Sequence, residues 1–391
     1  MDRPAHSRPS SAVPFHRASV GGEELRAVGR VLRSGWLTSG PETERFEAEF
    51  AAAVSARHAV AVNSGTAALH LALAALEIGP GDEVIVPTMS FAADAEVVIR
   101  LGARPVLADC DPRTLNLTAA AAEAALTRRT RAILPVHYAG LPCEMSALRR
   151  LARRHRLAVV EDAAHAFPAR HDGRPIGSEG SAVAFSFYAS KNLTTGEGGM
   201  VTTPHRRLAE RMRLLRLHGL SASAWQRRER GAGYDILLPG YKYNLGDLAA
   251  AIGRAQLAKA ARLHATRERL AQRYQQALGQ LPEIELPPFV AAPDHAWHLY
   301  VIQLRLERLR CGRDEFAAAL RRRGIETSVH YRPLHMHSYY RRAFGYRPAD
   351  LSCAHRAYQR ILSLPFFAGL RPDAARRVIT AVAATCAEFR R

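Results

Sequence analysis

The 391-residue chain carries 55 basic against 36 acidic side chains, a formal net charge of +19, with 48% hydrophobic and 23% charged residues. These are the proportions of a soluble globular protein, long enough for a large domain and a smaller one, and no apolar run reaches membrane-spanning length. The five cysteines, Cys110, Cys143, Cys311, Cys353 and Cys386, are odd in number, widely spaced and without a CxxC pair; that pattern excludes a disulfide frame or a zinc site and predicts reduced thiols in the cytoplasm.

Residues 1–14 have no apolar signal core and read as a flexible leader. From about residue 59 to 203, short β-branched runs alternate with stretches of helical spacing. Strands are predicted at 58–62, 83–86, 104–107, 132–136, 157–160, 182–185 and 199–202, with helices at 66–76, 92–101, 119–126 and 144–155. This alternation predicts an α/β fold with a mostly parallel sheet covered on both faces. The run at 199–202 follows its predecessor too closely for a helical crossover, so it is expected to be antiparallel. Residues 231–239 read as a loop, and 244–278 as one long helix. Beyond it come a strand at 299–304, a helix at 313–323, a strand at 326–330, a Pro/His/Tyr-rich loop and a helix at 372–389. The domains are therefore expected at 15–240 and 241–391, the second opened by the long linking helix.

Only three of the basic residues are lysines: Lys191, Lys242 and Lys259. A lysine kept in such a chain does what arginine cannot, because only lysine loses its proton and forms a Schiff base. The arginines are scattered. Their densest runs, 227–230 and 321–323, read as a loop and a helix end. That distribution predicts solvated faces and a field that draws anionic small molecules. It argues against nucleic-acid binding, which gathers cations on one face.

Three constellations carry chemistry. Asn63-Ser-Gly-Thr-Ala-Ala68 joins a strand to a helix, where glycine and the first amides suit a phosphate; alone, it reads more readily as an ordinary turn with a serine or threonine cap. Val159-Val-Glu-Asp162-Ala-Ala-His165 ends an apolar strand in a carboxylate able to hold a protonated pyridine nitrogen; alone, it is a strand-end cap beside a packed histidine. Lys191, with Ser186 five residues earlier, follows another strand; alone, it is a surface lysine. Together they are the contacts a pyridoxal phosphate enzyme needs, in the chain order of the aspartate-aminotransferase-like fold.

The chain resembles the DegT/StrS-type family of pyridoxal-phosphate sugar aminotransferases along nearly its whole length. The matching segments are Arg33-Ser-Gly-Trp-Leu-Thr-Ser-Gly-Pro41, Asn63-Ser-Gly-Thr-Ala-Ala-Leu69, Pro87-Thr-Met-Ser-Phe-Ala-Ala93, Pro135-Val-His-Tyr-Ala-Gly140, Glu161-Asp-Ala-Ala-His-Ala166, Ser186-Phe-Tyr-Ala-Ser-Lys-Asn-Leu-Thr-Thr-Gly-Glu-Gly-Gly199 and Gly240-Tyr-Lys-Tyr-Asn-Leu245. The resemblance implies the fold of type I pyridoxal phosphate enzymes. In it Lys191 would form the Schiff base with the cofactor, and Asp162 would pair with the pyridine nitrogen. Gly65, Thr66 and Ala67 would donate to the phosphate, joined by the Ser186 hydroxyl. Phe91 would stack on the ring, and His165 would stand where many relatives have a glutamine touching the ring hydroxyl. Asn244 would reach the phosphate of a neighbouring subunit, which makes the active unit a homodimer with shared sites.

The C-terminal segments Gly240–Leu245, His295–Tyr300 and His330–His335 are similar to the UDP-4-amino-4-deoxy-L-arabinose–oxoglutarate aminotransferase branch. That likeness implies L-glutamate as donor and a UDP-linked 4-keto sugar as acceptor. Phe91 and Tyr188 depart from that branch, which has tryptophan and histidine there. Tyr188, His330, Tyr331 and His335 are the candidate substrate contacts, with no metal ligands. The alternatives are a 3-keto sugar aminotransferase, a sugar dehydratase of the same family, which would carry histidine in place of Lys191, and a regulatory or nucleic-acid-binding protein. The product could serve a polysaccharide, an antibiotic or lipid A modification.

Overall fold

The computed structural model describes residues 12–231, 233–290 and 293–391. Helices α1 (Gly22–Ser34) and α2 (Pro41–Ala53) lead into strand β1 (His58–Val62) and helix α3 (Gly65–Ala75). The chain then runs β2 (Glu83–Pro87), α4 (Ala93–Arg100), β3 (Arg104–Ala108), α5 (Ala119–Ala124), β4 (Thr130–Ile133), α6 (Met145–His155) and β5 (Ala158–Asp162). A small ribbon, β6 (Arg170–His171) with β7 (Arg174–Pro175), precedes β8 (Ala182–Ser186) and β9 (Gly199–Thr203). Seven strands form one sheet in the order β1-β9-β8-β5-β4-β2-β3. As expected, β9 is the antiparallel member, paired with both β1 and β8, and the other pairs are parallel.

The helix that matters most for the site is α3. Its sequence is almost wholly alanine and leucine, and Leu69, Leu71 and Leu73 are at most 3% exposed. Small residues let it lie flat across the sheet. Each buried leucine contributes about 1.5–3 kcal/mol, so the helix N-terminus is held firmly against the end of β1.

After α7 (Arg206–Leu215) comes α8 (Ala224–Arg230). The basic run at 227–230 is therefore helical rather than a loop. Ser223 and Gln226 form a capping box that starts this helix.

The expected long helix is two helices, α9 (Asp247–Ala258) and α10 (Ala260–Leu278). Lys259 leaves helical geometry at φ −109°, ψ 6°. Its amine is anchored to Glu24 at 2.6 Å and Glu23 at 3.0 Å, both on α1. Leu245 and Ala250 pack in the large core with Phe46 and Phe187, whereas Leu270, Tyr274 and Leu278 pack in the small one. The packing thus changes over at Lys259, not at residue 241.

The small domain holds an antiparallel sheet of β10 (Ile284–Glu285), β11 (Tyr300–Leu304) and β12 (Ile361–Leu364). Helices α11 (Arg313–Arg322) and α14 (Pro372–Phe389) cover it with α10, while α12 (Ser338–Phe344) and α13 (Ser352–Arg360) link its parts. The predicted strand at 326–330 does not form. The place beside β11 is taken by the fully buried β12, and the 326–330 segment meets it only at Ser363, through a bridge from Ser328 and a hydrogen bond from His330. Of the expected leader, residues 1–11 lie outside the described residues; Val13 is not free but 2% exposed, and its amide donates to the Gly324 carbonyl at 2.8 Å. No helix of the described residues is long and apolar enough to cross a membrane.

Candidate active site

A cavity of about 460 Å³ opens where β1, β5 and β8 end. One end of it is the start of α3. Ser64 caps this helix, accepting from the Ala67 amide at 3.0 Å, and the Ala68 amide donates to the Ser64 carbonyl. Of the four first-turn amides that lack helical partners, those of Gly65 and Thr66 are left for a ligand. Ala67 is not: its expected donation to a phosphate is excluded by the cap. At Gly65 an added Cβ would lie 2.8 Å from Cβ of Ser186. Only glycine lets the Ser186 side chain come this close to the helix start, and the positive end of the helix dipole then favours an anion there.

Asp162 closes β5 and is 8% exposed. Its Oδ1 accepts from the Ala164 amide at 2.7 Å, and its backbone is pinned by Pro135 and His137. Lys191 lies in the connection from β8 to β9, with its amide on the Tyr188 carbonyl at 2.9 Å. Burial brings its ammonium down to about 8, against the pull of Asp162 and Asp94. It therefore holds a far larger neutral fraction at physiological pH than an ordinary lysine. Of the other lysines, Lys242 is exposed and Lys259 is the ion-paired hinge, so scarcity alone does not single out the chemical one.

The upper wall comes from the small domain. Tyr331 places its hydroxyl 3.1 Å from Nε2 of His165. His165 is 6% exposed, lies 4.3 Å ring to ring from His298, and is kept neutral by burial first and the Lys191 charge second. Burial holds the Tyr331 phenol protonated. The phenol and Nε2 share this hydrogen bond. The buried Nδ1 has no partner among the described residues, which makes it the ring nitrogen left for a ligand. His330 lines the cavity as well, with Nδ1 2.8 Å from Ser363 Oγ. Phe91 and Tyr188 are its most exposed aromatic side chains, at 60% and 50%.

Two expected contacts lie elsewhere. His335 is fully buried between Thr88, at 2.8 Å, and the Pro348 carbonyl, at 3.3 Å, and does not reach the cavity. It serves packing, so it is no substrate contact. Asn244 is bridged to Val62 and donates to Ser39 Oγ at 2.8 Å, outside this cavity. Sequence reasoning missed Ser90, Ser190 and Glu197, which line the cavity, although each stands in or beside a quoted motif. No group of residues fit to hold a metal ion occurs among the described residues.

The residues present fit pyridoxal phosphate. The free first-turn amides suit its phosphate, Asp162 its ring nitrogen, Lys191 its aldehyde, and the unpartnered Nδ1 of His165 its ring hydroxyl.

Comparison with known proteins agrees. Residues 18–383 match the DegT/DnrJ/EryC1/StrS aminotransferase family. The spore coat polysaccharide biosynthesis protein SpsC of Bacillus subtilis is 48% identical over 374 residues, covering 95% of this chain and 96% of its own. The solved structure of DesV from S. venezuelae superposes with a TM-score of 0.87 at 42% identity, over 96% of this chain and 98% of its own. That of Helicobacter pylori PseC, an aminotransferase involved in the biosynthesis of pseudoaminic acid, does so at 0.90 and 29%, over 97% and 100%. None of these singles out the L-arabinose branch. With Lys191, Asp162 and the start of α3 around one cavity, the chain belongs to the DegT/DnrJ/EryC1/StrS family and is a pyridoxal-phosphate-dependent sugar aminotransferase.

Proposed function

We propose that the enzyme moves the amino group of L-glutamate to a nucleotide-linked keto sugar, at C4 of a UDP-linked 4-keto sugar, in the cytoplasm. The observation that carries the reading is the amine of Lys191, brought down to about 8 beside Asp162 in a cavity that also holds the α3 N-terminus. The cofactor, when bound, supplies the electron sink. Lys191 holds the cofactor aldehyde and, once freed by the amino donor, moves the proton between the donor α-carbon and C4′. Asp162 keeps the pyridine nitrogen protonated. Gly65, Thr66 and Ser186 bind the phosphate, and Phe91 packs on the ring. Nδ1 of His165, whose ring is held by Tyr331, meets the ring hydroxyl. Tyr188 and His330, at the rim, touch the sugar.

Asn244 lies outside its own protomer's cavity, which suits a reach to the phosphate of a second subunit. The enzyme would then act as a homodimer. The C4 assignment rests on the likeness of the Gly240–Leu245, His295–Tyr300 and His330–His335 segments to the L-arabinose branch. SpsC and PseC, named for polysaccharide and pseudoaminic acid biosynthesis, support an amino sugar product.

The test is the absorption spectrum of the purified protein before and after L-glutamate, with Lys191→Ala beside it, followed by UDP-linked 4-keto and 3-keto sugars as acceptors. A lysine-dependent band that bleaches with glutamate and returns with the 4-keto acceptor is expected. Return with the 3-keto acceptor alone would overturn the C4 assignment. A band indifferent to glutamate would overturn the donor.

A further inference from the structure

Beneath the cavity floor lies a second carboxyl group that the proposed chemistry does not use. Asp94 sits in the first turn of α4, three residues after Phe91, and is 0% exposed. The Ser90 hydroxyl donates to its Oδ2. Its Oδ1 is buried with no hydrogen-bond partner. The side chain within hydrogen-bonding reach is that of Asp162. Two carboxylates in such contact cannot both be anions, and a carboxylate cannot donate to another; one proton between them resolves both problems.

We infer that Asp94 is a neutral carboxylic acid that donates its proton to Asp162 and so holds that carboxylate against the pyridine nitrogen of the cofactor. Asp94 is then a positioning residue. The inference rests on the role proposed above for Asp162.

The surroundings decide which partner carries the proton. Asp162 accepts the Ala164 amide and borders the open cavity, so its negative charge is solvated by a dipole and by the bound ring. Asp94 has a single hydroxyl donor and no solvent. Burial and the Asp162 charge push its carboxyl well up, against the opposing pull of Ser90 and Lys191. The α4 dipole also favours an anion in its first turn, but that effect is weak beside burial of a charge. The arrangement leaves one negative charge facing Lys191 and the ring nitrogen. It fixes the orientation of Asp162 from behind while leaving Asp162 the anion of the pair.

The test uses the holoenzyme. Infrared difference spectra of wild type against Asp94→Asn at neutral pH are expected to contain the carbonyl stretch of a protonated carboxylic acid in the wild type only. With ¹⁵N-labelled pyridoxal phosphate, Asp94→Asn, whose amide still donates, should keep the pyridinium ¹⁵N signal and bind cofactor within about threefold of wild type. Asp94→Ala should shift that signal toward the unprotonated value and weaken binding about tenfold, the loss of one hydrogen bond to a charged group. A wild-type spectrum without the acid carbonyl, or an Asn variant that loses cofactor as readily as the Ala variant, overturns the inference. A holoenzyme without a Lys191-dependent band overturns the site assignment and this inference together; an intact band with no acid carbonyl overturns this inference alone.

Discussion

The cavity has two walls made in different ways. The lower wall, with Gly65, Thr66, Asp162 and Lys191, stands at strand ends of a seven-stranded sheet whose neighbouring β1, β8 and α3 residues are buried to a few per cent or less. The upper wall, with His330 and Tyr331, belongs to an irregular segment held to the small sheet by the Ser328–Ser363 bridge and the His330–Ser363 hydrogen bond, and to the large domain by Tyr138 on the His330 carbonyl and by the Tyr331–His165 hydrogen bond. The lower wall rests on strand and helix ends and the connections between them, the upper wall on irregular backbone held by side-chain hydrogen bonds.

This contrast can be broken in several ways, and the largest effect belongs to the lower wall. Asp162→Asn should keep the fold and lower kcat by ~10²–10³-fold, the scale for removing one preorganised electrostatic contact; single-turnover bleaching with glutamate measures it, and a change in KM alone would contradict the assignment. His335→Ala should cost about 1–3 kcal/mol of stability by stranding the buried Thr88 hydroxyl, read by chemical denaturation. The folded fraction should keep its KM for the sugar; a raised KM would mean that the His335 segment reaches the site after all.

Tyr331→Phe removes only the hydroxyl bonded to His165. About a tenfold loss in kcat/KM is expected, about 1.4 kcal/mol, with the Lys191-dependent band retained but shifted as the His165 ring is freed. An unchanged band would detach the upper wall from the cofactor.

The smallest effect is a pH slope. Burial lowers His330 and His16 from 6.5 to about 4. Between these values the unfolded chain binds protons that the folded chain does not, so stability falls as pH drops from 6.5 toward 4 and is unaffected by these rings above 6.5. His330→Asn should flatten that slope by at most about 1.4 kcal/mol per pH unit. Denaturation midpoints across pH 6.5–4.5 would measure it, and an unchanged slope would mean that His330 is solvated rather than built into the wall.

The lower wall was also the more legible one. The ends of β1, β5 and β8 follow to within two residues from short β-branched runs, and the glycine and serine of the α3 turn mark its cap. The last helix, at 372–389, and the antiparallel β9 were likewise readable, because spacing and loop length are local properties. The misread parts share a different cause. The strand expected at 326–330 lost its place to β12, since both runs suit a strand and only the small core chooses between them. The break at Lys259 depends on Glu23 and Glu24, more than two hundred residues away in sequence. His335 and Tyr331 stand in one motif, and nothing in its spacing says that one turns into the core and the other over the site.

The sequence by itself determined the α/β architecture, the glycine turn that opens α3, the aspartate that ends β5 and the place of Lys191 just beyond β8. Each is written in contiguous residues whose geometry the backbone alone dictates. Only the tertiary structure decided that Tyr331 bonds His165, that His335 turns into the core and that Asp94 lies against Asp162. Those outcomes depend on burial and on distances between segments far apart in the chain, and neither is encoded in local periodicity.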